Sequence, residues 1–166
     1  VTVQYLPQSV VVKIGYPGEL ASYSMLIGQY LSGTLDDLRA TDDQLMRLRS
    51  TFGFSVFEPN IFEIRLLAQT AAPPTSLMDI AVTSRVNNPN GTIKVRLRRW
   101  SNGSVTQVAQ FPVGMTETTG IAENIDGSPY IDASGQIDLR LRYTMLATFS
   151  VIGFDAWIDS VIIRIE

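Results

Sequence analysis

Thr92-Ile93-Lys94-Val95-Arg96-Leu97-Arg98-Arg99-Trp100 alternates apolar and basic side chains along its whole length. Successive side chains of a strand point to opposite faces, so Ile93, Val95 and Leu97 share a buried face while Lys94, Arg96 and Arg98 share a wet one. The next residues, Ser101-Asn102-Gly103-Ser104, hold an Asn-Gly pair able to take the positive φ of a tight hairpin turn. A strand over 92–100 therefore pairs antiparallel with one over 104–111.

The same period recurs along residues 136–149. Ile137, Leu139, Leu141, Tyr143, Met145, Ala147 and Phe149 stay in phase opposite Asp138, Arg140, Arg142, Thr144 and Thr148. Further strands are predicted over 22–30, 44–49, 60–68, 77–86 and 160–165, all rich in β-branched, aromatic or leucine side chains. Turn residues separate them: Asn87-Asn88-Pro89-Asn90-Gly91, Ala71-Ala72-Pro73-Pro74-Thr75 and Asp126-Gly127-Ser128-Pro129. One helical turn is readable, Thr34-Leu35-Asp36-Asp37-Leu38, with Thr34 as its N-cap. Many short strands and no strand–helix–strand alternation predict an all-β, antiparallel β-sandwich, jelly-roll-like, with at most that one turn of helix.

The 166 residues contain no histidine and no cysteine. Triads built on imidazole, thiol nucleophiles and His/Cys metal sites are thereby excluded. At 45% hydrophobic and 17% charged residues the chain can bury a sizeable core, and its length suits one domain. A net charge of −3 supplies no overall cationic field, so nucleic acid is not an expected partner. No run of apolar residues is long enough to cross a bilayer as a helix, the richest, residues 145–154, being broken by Thr148, Ser150 and Gly153.

Residues 1–18 differ from the rest. Val1, Val3 and Tyr5 alternate with polar residues, Val10, Val12 and Ile14 follow in a nearly apolar run, and Gly15-Tyr16-Pro17-Gly18 reads as a hinge. The leading expectation is a non-enzymatic extracellular structural subunit with a sandwich over 19–166. Its N-terminal segment would pair with the sheet edge of a neighbouring copy, building an oligomer or polymer of itself.

From about Ala21 onward the chain resembles a sandwich domain that recurs in large secreted proteins of planctomycete-type and related bacteria. The residues carrying the resemblance are Gly28, Leu31-Ser32-Gly33, Leu35, Leu38, Thr41-Asp42-Asp43, Leu45 to Arg49, Asn87-Asn88-Pro89, and Phe154-Asp155-Ala156-Trp157-Ile158-Asp159 before the last strand. The resemblance implies an extracellular location, a β-sandwich and no assigned catalytic residue. The apolar N-terminal segment departs from it.

The alternative function is a carbohydrate-binding module of a secreted or cell-surface protein, with polysaccharide as its partner. Trp100 is the expected ring platform, with Arg98 and Tyr130 beside it, although aromatics serve equally as core and contact residues. Arg96, Arg98, Arg140 and Arg142 would line an anion-binding face if their strands share a sheet, or else a solvated face paired to acids such as Asp138. Asp36, Asp37, Asp42 and Asp43 are hard oxygen ligands that would suit calcium, yet their spacing also fits helix and turn capping. Asp155 and Asp159 read as surface or turn positions. Asn90-Gly91-Thr92 and Asn102-Gly103-Ser104 match the N-glycosylation pattern at Asn90 and Asn102.

Overall fold

The computed structural model describes residues 16–51, 60–145 and 153–166. Ten strands follow one another: β1 Tyr16–Ile27, β2 Gln29–Ser32, β3 Met46–Arg49, β4 Asn60–Gln69, β5 Leu77–Val86, β6 Gly91–Arg98, β7 Val105–Val113, β8 Thr118–Asp126, β9 Gln136–Met145 and β10 Asp155–Ile165. Every pairing is antiparallel. One layer runs β2-β3-β10-β5-β8 and the other β1-β4-β9-β6-β7. β1 joins both, pairing Tyr16–Gly18 with β10 and then crossing at Glu19 to run beside β4.

Alternation produces the core, as the periodicity predicts. Phe62, Ile64 and Leu66 of β4, Ile93, Val95 and Leu97 of β6, and Ile137, Leu139, Leu141 and Tyr143 of β9 all point inward and are buried. Met78, Ile80 and Val82 of β5 and Ile158, Val161 and Ile163 of β10 meet them from the facing layer. Phe62 stacks on Tyr143 at 4.4 Å between ring centroids and touches Phe154 at 5.5 Å. The Tyr143 hydroxyl donates to Ser84 Oγ at 2.9 Å, which satisfies the polar tip in this dry setting. Burial pushes that phenol above its ordinary pKa and keeps it protonated. At the open edges, Phe111 of β7 rests on Gly120 of β8.

The hairpin of β6 and β7 forms as expected, with one refinement. Only Gly103 takes a positive φ, +72°, and its N–H donates to Arg99 O at 2.9 Å, while Asn102 Oδ1 accepts from Ser104 N. The strand expected over 22–30 breaks at Gly28, whose φ of +94° leaves a Cβ no room between Arg49 O and Phe62 Cβ. β8 has no counterpart among the predicted strands, because this edge strand is mostly exposed and lacks an apolar alternation.

Three local expectations need correction. Tyr16, Pro17 and Gly18 are the opening residues of β1, paired with Ile165, Arg164 and Ile163, where a hinge was predicted. Thr34 does not cap the short 3-10 turn Asp36–Leu38. Instead its N–H and hydroxyl both donate to the Asp37 carboxylate. The last strand begins at Asp155, so Asp155 and Asp159 are buried strand residues: Arg47 and Arg49 of the adjacent β3 close over the Asp155 carboxylate, and Asp159, at a bulge of β10, accepts from Asp43 N.

Candidate functional site

The outer face of the β1-β4-β9-β6-β7 layer is built from the out-pointing residues of its three central strands. Registers fix their places: Lys94 of β6 lies opposite Arg142 of β9, which lies opposite Glu63 of β4. One step along, Arg96, Arg140 and Arg65 form a second row. A third row holds Arg98, Asp138 and Leu67, where Arg98 is the residue after Leu97, which pairs with Leu139. The middle row extends to Gln107 on β7 and Ser24 on β1, so five neighbouring strands each contribute one polar side chain. At the usual strand spacing that row is about 19 Å wide.

The two carboxylates hold this array in place. Glu63 is only 2% exposed although it points away from the core, because the guanidiniums of Arg96 and Arg142 close over its carboxylate. Arg96 Nη1 reaches Glu63 Oε1 at 2.9 Å, and Arg142 reaches Oε2 through Nε at 2.7 Å and Nη2 at 2.6 Å. Asp138, fully buried, accepts from Arg65 at 2.8–3.0 Å and Arg140 at 3.4 Å, with Arg98 at 3.9 Å. The five arginine side chains keep 23–36% of their surface exposed. Lys94 has no acidic partner among the described residues.

Like charges directly opposite one another weaken a sheet. The Arg65–Arg140–Arg96 row contains three in succession, with its acids displaced into the flanking rows. Five arginines and one lysine around two carboxylates leave a surplus of four positive charges at the centre of this face, three when Glu19 at its far end is counted, in a chain whose net charge is −3. The expected pairing of this face to Asp138 is present, and Glu63 and Arg65 join it.

Arg98, Trp100 and Tyr130 also come together, at a corner of the same face. Trp100 is half-buried, donates Nε1–H to Tyr130 O at 2.8 Å, and carries the Arg98 guanidinium at 5.2 Å from its ring centre. Tyr130 is buried, with the Arg99 guanidinium at 5.9 Å. Trp100 therefore meets solvent as part of an arginine-coated corner. Trp157 is similar on the opposite layer, between Arg47 at 5.3 Å and Arg85 at 4.6 Å.

The acidic loop does not converge. Asp36 pairs with Arg39, Asp37 accepts from Thr34, Asp42 accepts from Gln44 N, and Asp43 donates its N–H to Asp159 Oδ1. Among the described residues no three His, Cys, Asp or Glu are grouped for a metal ion. Asn90 and Asn102 are exposed in their turns. Val1, Val3, Tyr5, Val10, Val12 and Ile14 lie outside the described residues. No described helix is long and apolar enough to cross a membrane.

Asp155 is the strongest acid–base element. It takes 2.6 Å and 3.0 Å bonds from Arg49 and 2.5 Å and 3.2 Å bonds from Arg47, and its side chain is 7% exposed. The hydrogen bond from Arg49, against the opposing effect of burial and with help from Arg47, holds its carboxyl below the ordinary range. A carboxylate depressed by folding contributes stability above its unfolded value, about 3.9, and loses it as the pH falls through the folded value. The melting temperature should fall below about pH 4, and Asp155→Asn should flatten that fall. Thermal melts of both proteins from pH 7 to pH 2 check this; parallel curves would contradict it.

No protein-family model and no curated protein sequence matches the chain. Among solved structures the chain is similar to TmCBM61, a carbohydrate-binding module in complex with β-1,4-galactotriose, with a TM-score of 0.50 and 8% identity over 90% of each chain. It is also similar to the family 32 carbohydrate-binding module of C. perfringens NanJ in complex with galactose, with a TM-score of 0.48, 13% identity, 87% of this chain and 93% of that one. A third similarity, with a TM-score of 0.49 and 11% identity, is to the enzymatically active domain of bacteriophage CBA120 tailspike protein 4, of which this chain spans 19%. At 8% identity the similarity to TmCBM61 defines the fold alone, a β-sandwich.

Proposed function

We propose that this chain is a non-catalytic carbohydrate-binding module of a secreted or cell-surface protein, and that the arginine-rich outer face is where it meets its ligand. One observation carries the reading: five neighbouring strands place Gln107, Arg96, Arg140, Arg65 and Ser24 in a single row of polar side chains. Planar guanidiniums pinned by buried carboxylates lose little freedom on binding and donate in a fixed geometry to an oxygen-rich ligand. A row about 19 Å wide suits an extended oligosaccharide better than a single small molecule. A sandwich of this kind holds β-1,4-galactotriose in TmCBM61, which supports the same ligand class here.

Glu63 and Asp138 are buried and occupied by guanidiniums, which suits anchoring and not proton transfer. The leading expectation from the sequence, self-assembly through residues 1–14, rests on residues outside the described ones and has no support in the described part of the chain. Affinity electrophoresis through gels containing neutral or acidic soluble polysaccharides tests the proposal, with sugar-end release assayed alongside. At least one polymer should retard the protein, without turnover, and Arg96→Ala/Arg140→Ala should run free while keeping its circular dichroism. No retardation by any polymer, or hydrolysis of one, would overturn it.

A further inference from the structure

We infer that the ligand of this face is an acidic polysaccharide, one bearing carboxylate or sulfate groups along its length. The inference rests on the carbohydrate reading and adds the ligand's charge. The middle row offers hydrogen-bond donors from three guanidiniums, and a neutral Gln and Ser complete it at either end. Neither Glu63 nor Asp138 stands in that row. Glu63 accepts from Arg96 of the row and from Arg142 beside it, and Asp138 from Arg65 and Arg140 of the row and, at 3.9 Å, faces Arg98, so two carboxylates serve five guanidiniums and the centre of the face keeps a surplus of positive charge.

Arginine against arginine across three strands weakens the sheet in the free protein. Local rules are broken mainly where function requires it, and an anion laid along the row removes the repulsion. Guanidinium forks match carboxylate and sulfate oxygens in paired hydrogen bonds. The face is also local: Glu19 stands on it only at the far end of β1, opposite Gln69, away from the β4, β9 and β6 centre. An acidic chain is thus drawn to one patch of a molecule that is otherwise anionic.

The test is affinity electrophoresis and calorimetry with four probes: polygalacturonate for carboxylate, dextran sulfate for sulfate, neutral galactan, and single-stranded DNA as a polyanion without the sugar polymer's character. Polygalacturonate or dextran sulfate should bind, and whichever binds identifies the anionic group. Binding should weaken about tenfold in Arg140→Gln, the loss expected for one charged hydrogen-bonding group. It should weaken further as NaCl rises. Arg164→Ala, on the opposite layer, should leave it unchanged.

Binding to galactan with neither acidic polymer bound would overturn the charge inference and leave the module reading standing. Binding to none of the four would overturn the charge inference, and retardation by no neutral or acidic polysaccharide at all would overturn the module reading with it. DNA bound as tightly as the acidic polymers would overturn the assignment to polysaccharide.

Discussion

Phe62→Ala will destabilise the domain by about 3–5 kcal/mol, the range for removing a fully buried phenylalanine. Its ring is inaccessible to solvent, stacks on Tyr143 at 4.4 Å with an interplanar angle of 17°, and touches Phe154. Tyr143 belongs to β9, beside Phe62's own β4, and Phe154 immediately precedes β10 of the other layer, so the ring joins the two layers. Collapse around the cavity is limited because Tyr143 is fixed by its bond to Ser84. A urea denaturation midpoint shifted to match, with an unchanged slope, is the expected reading. A loss below about 1 kcal/mol would show that the side chain does not fill the core.

Asp138→Ala is the second large effect, and it acts on the face rather than the core. The carboxylate is fully buried and serves Arg65, Arg140 and Arg98. Breaking a buried pair costs about 3–5 kcal/mol when the remaining charge is stranded. Here the arginines are a quarter to a third exposed and regain water, so about 2 kcal/mol is expected. The variant also raises the local surplus of positive charge. Its melting temperature should therefore rise with NaCl more than that of the wild type, because screening relieves the arginine row. Equal salt responses would contradict the account of that row as mutually repulsive.

The layers were legible from alternation alone. Residues 92–98 and 136–145 show their inward and outward faces without reference to any partner, and the outward faces are where the arginines stand. The array itself was not legible, because it depends on β4 lying beside β9 and β9 beside β6. Strands 60–69 and 136–145 are far apart in sequence, and no turn motif links them. Glu63 and Arg65 were readable as outward residues of Ile61 to Leu67, yet nothing in that segment names Arg142 or Asp138 as their partners. Asp155 and Asp159 misled for a related reason: a carboxylate at the start of the last strand reads as a surface or turn position, whereas Arg47 and Arg49 of β3 cover Asp155, and Asp159, at the bulge within β10, is fully buried. Trp100 ends the alternating run beside the hairpin turn, but the Arg98 head resting on its ring and the bond to Tyr130 O arise only once the β6–β7 hairpin meets the loop carrying Tyr130.

The most direct measurement is a titration of the protein, labelled at arginine Nε, with a short oligogalacturonate, followed by nuclear magnetic resonance. The account predicts that Arg96, Arg140 and Arg65 shift first and together, with Arg142 and Arg98 following and Arg47, Arg49 and Arg85 on the other layer still. Shifts confined to Arg47, Arg49 and Arg85, or no arginine moving at saturating ligand, would contradict it.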